Sequence, residues 1–277
     1  MPTAVVTGAG RGLGLAIAHS LAERGLTVHA TDVDAAAAEQ AAAELGGEAF
    51  SSPLDVRDDG ACRKVAEATV ERAGSLDVWV NNAGLLLPGR TWEQDPEVHR
   101  TMLEINTLGT MYGTTAALER MMPVGRGHVI NVISLAGLVA APGEASYSAS
   151  KHAAIAFTLG TLFDLRRDGV KNIHLSAVCP DGIWTPMLAD KLDDPDAAGS
   201  FSGTLLTAEQ VAPRIAGLLD RPRPVLTIPR WRGVVLRLVD AFPALGIRAV
   251  PLLMRDAERR QRAYKRKIES GRWPKRK

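Results

Sequence analysis

Between Thr3 and Leu21 an apolar strand runs into a glycine-rich turn and then a helical stripe, an order that leaves few folds open. Thr3 to Thr7 is short and apolar, Gly8-Ala-Gly-Arg-Gly12-Leu-Gly14 breaks it, and Leu13, Ala16, Ile17 and Leu21 recur at helical spacing. Glycines let the backbone turn tightly and approach a phosphate, while the helix that follows offers free N–H groups and the positive end of its dipole. The segment therefore reads as a nucleotide-phosphate cradle, with Gly8, Arg11, Gly12, Leu13 and Gly14 as its candidates. Its spacing is Gly-x-x-x-Gly-x-Gly, and Leu13 stands where the last glycine of a G-x-G-x-x-G run would fall.

The rest of the chain repeats the same alternation. Strands are expected at Thr27 to Asp32, Ala49 to Pro53, Val78 to Asn81, His128 to Val132, Ile173 to Cys179 and Val225 to Pro229. Helices are expected at Ala35 to Leu45, Asp58 to Ala73, Asn106 to Met121, Tyr147 to Asp168 and Ala208 to Leu219, with Asp190 to Gly203 as a mobile lid. Strands and helices at this pitch predict an α/β protein: a Rossmann-type, doubly wound parallel sheet with helices on both faces and ligands at the C-terminal ends of the strands.

Asp32 ends the second strand, where a carboxylate accepts hydrogen bonds from an adenosine ribose and repels a 2′-phosphate, so NAD is expected over NADP. Arg11 pulls the other way, and a cap for the helix starting near Asp34 is the alternative role for Asp32. Asp55 and Val56 follow the third strand and are candidates for the adenine, although turn chemistry explains Asp55 as well. Asn82, Ala83 and Gly84 follow the fourth, where an Asn pins backbone and a Gly leaves room for a ligand.

Asn131 to Lys151 carries the chemistry. Tyr147 and Lys151 are four residues apart, on one helix face. A phenol of reference pKa about 10 is a poor acid-base group near neutrality. An ammonium roughly 5 Å away, at an effective dielectric of about 20, favours the phenolate by about 3 kcal/mol, lowering the pKa by about two. Tyr147 then exchanges a proton with a substrate hydroxyl, and Ser134 on the preceding loop bonds the same oxygen.

With Gly8, Gly12, Gly14, Asn81 to Gly84, Ser134 and Tyr147-Ser-Ala-Ser-Lys151 in order, residues 3 to 229 resemble the short-chain dehydrogenase/reductase family. The resemblance implies reversible alcohol oxidation with nicotinamide as hydride carrier. It makes Tyr147 the acid-base group, Ser134 the group that polarises the carbonyl and Lys151 the holder of the nicotinamide ribose. Asn106 matches the family's Asn that anchors a water in the proton relay, with a helix cap as the alternative. Pro180, Ile183 and Thr185 align with residues around the nicotinamide and phosphates, but Asp181 replaces the family's usual Gly and is expected to set a charge beside the nicotinamide.

The function expected is an NAD(P)-dependent oxidoreductase. The rivals are a cofactor-binding regulatory protein without turnover and an epimerase or dehydratase on the same fold. Leu85, Leu86, Leu87, Leu135, Val139, Trp184, Met187 and Leu188 are candidate cleft residues and predict a hydrophobic alcohol or ketone. A homodimer at least is expected, through Gly109, Gly113, Ala116 and Ala117 on one long helix and Ala153, Ala156 and Gly160 on the other. Cys62 and Cys179 make no metal-ligand spacing, so no metal is expected, and with no basic leader the expected location is cytoplasmic.

Charge divides the chain into a catalytic domain, 1–229, and an extension, 230–277. The extension holds 15 Lys and Arg against 4 Asp and Glu, a net of +11 in a chain whose total is +2. It is apolar up to Leu253, interrupted by Pro243 and Pro251, which predicts two short amphipathic helices broken at the prolines and then a basic helix or tail. Such surface covers the substrate cleft or a subunit interface, or lies on an anionic membrane; sparse aromatic interleaving argues against nucleic acid.

Overall fold

The computed structural model describes residues 1–273. Its first half is β1 (Thr3–Thr7), α1 (Gly12–Ala22), β2 (Thr27–Asp32), α2 (Ala35–Leu45), β3 (Phe50–Pro53), α3 (Asp59–Ala73) and β4 (Val78–Asn81). Then α4 (Pro96–Leu103) passes through a π-helical turn, Glu104–Leu108, into α5 (Gly109–Val124). There follow β5 (Gly127–Val132), α6 (Ala145–Arg167), β6 (Ile173–Pro180), β7 (Ile183–Trp184), α7 (Pro186–Ala189), β8 (Leu206–Thr207), α8 (Ala208–Ala216) and β9 (Val225–Ile228). The chain closes with α9 (Arg230–Ala241) and α10 (Pro243–Glu269).

Seven strands pair in parallel in the order β3-β2-β1-β4-β5-β6-β9, and β7 pairs separately with β8. The winding reverses between β1 and β4, which opens the crevice where such sheets take ligands. Alternation feeds two apolar layers: Val5 and Trp79 pack with α3 and α5 on one face, while Ala4, Val6, Val78 and Val80 pack with α1 and α8 on the other.

The helix expected from Asn106 begins ten residues earlier, at Pro96. Asp95 caps it by accepting from Glu97 N at 2.8 Å, and Pro at the first turn supplies the fitting φ. Asn106 therefore lies mid-helix in the π turn and caps nothing. Gly109, Gly113, Ala116 and Ala117 face the chain's own body: a Cβ on Gly109 would meet Val56 at 2.7 Å and one on Gly113 would meet Asn81 Oδ1 at 2.1 Å. These small residues let α5 approach the sheet and are not available to a second chain.

The extension packs on the body. Gly233 lets α9 lie against β9, since a Cβ there would meet Thr227 at 2.4 Å. The chain breaks at Pro243 as expected, but Pro251 sits inside α10, which runs unbroken from Pro243 to Glu269. A single missing N–H there is outweighed by the packing of α10 against the short 3-10 helix Pro195–Phe201. The segment expected to be a mobile lid is thereby pinned. Gln261 Nε2 donates to Lys191 O and Asp194 O at 3.2 and 2.8 Å, Leu205 N donates to Tyr264 Oη at 3.1 Å, and Lys265 pairs with Asp193. Residues 274–277 of the expected basic tail lie outside the described residues. No helix among the described residues is long and apolar enough to cross a membrane.

Candidate active site

The glycine turn is built as the spacing requires. Gly8 and Gly12 have φ of 64° and 59°, the left-handed region that other residues avoid. A Cβ on Gly14 would stand 2.0 Å from Gly8 O, so α1 starts directly against the turn. Asp32 Oδ2 accepts from Gly10 N at 3.0 Å, holding the turn to the end of β2. Asp32 is not the cap of α2: Asp34 caps it, accepting from Ala36 N and Ala37 N. From β4, Asn82 Nδ2 donates to Thr7 O and Gly8 O, and Thr7 Oγ1 accepts from Asn82 N and Ala83 N, all within 3.1 Å. The Asn-Asn-Ala-Gly run thus clasps the mouth of β1.

These residues open on one cavity of about 1160 Å³. Gly8, Arg11, Gly12, Leu13, Gly14 and Asp32 line one end, Asp55, Val56, Asn82, Ala83 and Gly84 the floor, and Ser134, Tyr147, Lys151, Pro180, Ile183 and Thr185 the remainder. Every candidate for holding the cofactor is among them. The donor set fits a dinucleotide: a cradle of backbone N–H groups at one end and an apolar, hydroxyl-bearing pocket at the other. The Asp55 carboxylate is already engaged by Arg57, Nη2 to Oδ2 2.6 Å, and that hydrogen bond holds its pKa below the usual range.

Asn106 does not line the cavity. Fully buried, it donates from Nδ2 to Leu85 O and Ser150 Oγ at 2.9 and 3.0 Å and accepts from Leu85 N at 2.9 Å. It stands behind Gly84, tying the end of β4 to α6.

Tyr147 and Lys151 share one face of α6, as their spacing predicts, and both are buried. The electrostatics differ from the expectation. Lys151 Nζ lies 5.7 Å from the Tyr147 ring centroid and 3.5 Å from Val132 O. Burial raises the Tyr147 pKa above its ordinary value, the charge of Glu144 adds to the rise, and the Ser134 hydroxyl opposes it. Burial also pushes Lys151 down to about 8. Desolvation of a phenolate in this cavity therefore works against the lowering expected from the ammonium. Burial likewise pushes the thiols of Cys62 and Cys179 up to about 12, leaving both unreactive.

Asp181, expected beside the nicotinamide, lines the cavity and faces Arg232 of the extension. Its Oδ2 lies 3.0 Å from Arg232 Nε, close but misaligned for a hydrogen bond, and Arg232 Nη2 donates to Ser202 Oγ at 3.1 Å. Burial raises the Asp181 pKa, and Arg232 pulls it back only in part.

Six of the eight cleft candidates line the cavity; Leu87 and Trp184 do not. Trp184 instead meets Trp273 edge-on, with ring centroids 5.4 Å apart. The far wall comes from the extension: Val235, Leu236, Val239, Val250, Leu253 and Met254. The sequence allows the apolar extension to cover the substrate cleft, but it does not separate these cleft-facing residues from their neighbours, because α9 and α10 are apolar on more than one face.

Glu144 was also missed. It precedes the first turn of α6, lines the cavity, is 3% exposed, and accepts from Ser200 N and Oγ at 3.1 and 2.6 Å. Its one trace in the sequence is a Glu where a helix prefers Ser, Thr, Asp or Asn. Burial pushes its pKa up to about 7. A carboxyl raised on folding stabilises the fold fully below the ordinary carboxylate range, and that contribution is lost as pH rises through about 7. Glu144→Gln keeps an acceptor for Ser200 and carries no charge. It is expected to be more stable than the parent at pH 8, by about 2 to 3 kcal/mol, with the difference fading as pH falls towards 4.5. Urea unfolding at both pH values checks this.

The family model described as short chain dehydrogenase matches residues 2–196. A cyclopentanol dehydrogenase of Comamonas sp. (strain NCIMB 9872) is 35% identical over 212 residues, covering 76% of this chain and 84% of that one. A short-chain dehydrogenase/reductase from Burkholderia phymatum, solved in complex with NAD, superposes with a TM-score of 0.79 at 26% identity over 88% of this chain and 95% of that one. An actinorhodin polyketide ketoreductase solved with NADPH superposes with a TM-score of 0.73 at 31% identity over 82% of this chain and 95% of that one.

Proposed function

Because the chain belongs to the short-chain dehydrogenase/reductase family, NAD(P)-dependent enzymes that act on CH–OH groups, we propose that it interconverts a hydrophobic secondary alcohol and its ketone with NAD as the preferred cofactor. The observation that carries this reading is the single cavity in which Ser134, Tyr147 and Lys151 stand between a glycine cradle and a wall of apolar side chains. A nicotinamide bound there supplies the site that accepts or returns the hydride. The chain's own residues manage the oxygen. Tyr147 Oη takes the alcohol proton in oxidation and gives it back in reduction, while Ser134 donates a hydrogen bond to the same oxygen. Lys151, an ammonium below about pH 8, holds the ribose and favours the ionised phenol.

Asp32 supports NAD, since its carboxylate faces the cavity at the end of β2 and would repel a 2′-phosphate. The apolar wall supports the substrate class, and cyclopentanol, acted on by one relative, is an alcohol of that kind. The same proposal includes pairing of two chains through the outward face of α6, where Ala156, Gly160 and Phe163 are exposed.

The test follows absorbance of reduced nicotinamide across a panel of alcohols and ketones with NAD and NADP in parallel. Turnover of apolar secondary alcohols, at least tenfold better with NAD, is the expected result. Good turnover of small polar sugars and none of apolar alcohols removes the substrate class. Substrate conversion without net cofactor reduction moves the reading to an epimerase or dehydratase.

A further inference from the structure

The inner faces of α9 and α10 line the cavity, and their outer faces cover nothing. Among the described residues, eighteen large apolar side chains are exposed, and nine of them fall between Trp231 and Leu253. Trp231, Val234, Leu238 and Phe242 recur at helical spacing along one side of α9, and Leu245 and Leu252 continue the surface on α10. None of these six lines the cavity. Contiguous apolar surface of this kind is rare on a monomer unless something binds it.

Charge selects the occupant. Arg230, Arg237, Arg248 and Arg255 are exposed around the apolar residues, and none forms an ion pair with a described residue. Asp240 is the single acid between Arg230 and Arg255. A second copy docked face to face would bring these arginines together and leave them repelling one another. A surface of anionic headgroups over acyl chains complements both features. A spanning segment is not an option among the described residues, since no helix is long and apolar enough.

The geometry points to the elbow between α9 and α10 as a docking surface for an anionic lipid bilayer, with the helices lying in the headgroup plane. Val235, Ile247 and Leu253 are exposed and also line the cavity, so the cavity meets the protein surface within the apolar elbow. An apolar molecule dissolved in the bilayer would reach the cleft without crossing water. Docking itself stands apart from the catalytic reading, because the outer faces carry it alone.

Density flotation of the full-length protein with phosphatidylcholine vesicles, with and without phosphatidylglycerol, tests the proposal. The protein is expected to float with the anionic vesicles at least tenfold better than with the neutral ones. The variant Leu238→Glu, Phe242→Glu, Leu252→Glu alters only exposed side chains outside the cavity and is expected to lose at least tenfold of that binding at unchanged circular dichroism and melting temperature. Failure of the unaltered protein to float overturns the proposal, as does equal flotation of the variant. A dimer seen by sedimentation that the three substitutions dissolve, without flotation, assigns the surface to a second copy and overturns it too.

Discussion

Tyr147→Phe is expected to lower kcat for alcohol oxidation about 10³-fold while leaving dinucleotide affinity within twofold. A positioned acid-base group contributes roughly 10² to 10⁴, and tenfold in rate corresponds to about 1.4 kcal/mol, so the variant forfeits about 4 kcal/mol of transition-state stabilisation. The phenyl ring still fills the space between the Ser134 loop and Leu188, both of which border the cavity, so the fold and cradle are untouched. A pH signature accompanies the loss. Burial holds Tyr147 above its ordinary pKa, and a neutral phenol is an acid ready to protonate the oxygen of a ketone being reduced. Oxidation needs the ionised form, so the unaltered enzyme should oxidise faster as pH rises and reduce faster as it falls. Turnover by Tyr147→Phe within tenfold of the parent would sink the assignment and move the acid-base role to a different group.

Arg232→Met is expected to cost about 3 kcal/mol of stability at pH 8 and markedly less at pH 5. Asp181 is 8% exposed and Arg232 faces it from α9 with a side chain 15% exposed, so the substitution strands a carboxylate away from water. Breaking one side of a buried pair typically costs 3 to 5 kcal/mol, about 3 being apt where Gly182 N still donates to Asp181 Oδ1. The sign with pH follows from the pKa. Burial already raises Asp181 on folding, so its ionisation opposes the fold once pH exceeds its folded value. Without the guanidinium that value rises further. Lowering the pH protonates the stranded acid, which then needs no counter-charge, and the deficit shrinks. Asp181→Gly combined with Arg232→Met removes both charges and should recover most of the loss. Urea unfolding of the parent, both single variants and the double variant at the two pH values measures this, and an Arg232→Met deficit that is the same at pH 5 as at pH 8 would refute it.

The Asp181–Arg232 pair also explains a departure visible in the sequence alone. Where the family usually has Gly, this chain carries an acid, and the acid is matched by a base beyond the family core. The spacing of fifty-one residues between them gives no periodic signal. Only the packing of α9 on β9, allowed by Gly233 against Thr227, brings the two together.

Much of the sheet and of the site was legible because its signals are local. Buried parallel strands are short apolar runs, a glycine at positive φ marks a turn that no other residue tolerates, and Tyr147 and Lys151 meet through helical geometry alone. Order along the chain then determined the architecture, since strand and helix in alternation wind only one way. What tertiary structure decided lies where a residue's environment comes from far along the chain. The sequence starts a helix at Asn106 with no sign of a π turn, and the turn exists because Asn106 is held by Leu85 and Ser150. The burial of Tyr147 was not legible from its neighbour four residues on, because it comes from Leu86, Met102, Leu188 and Phe201, far along the chain. The faces of α9 and α10 were not separable in sequence, since both sides are apolar and only contact with the body distinguishes cavity wall from open surface. Propensity and spacing act over a few residues, whereas desolvation and packing depend on everything within several ångströms, and the chain acquires those neighbours only on folding.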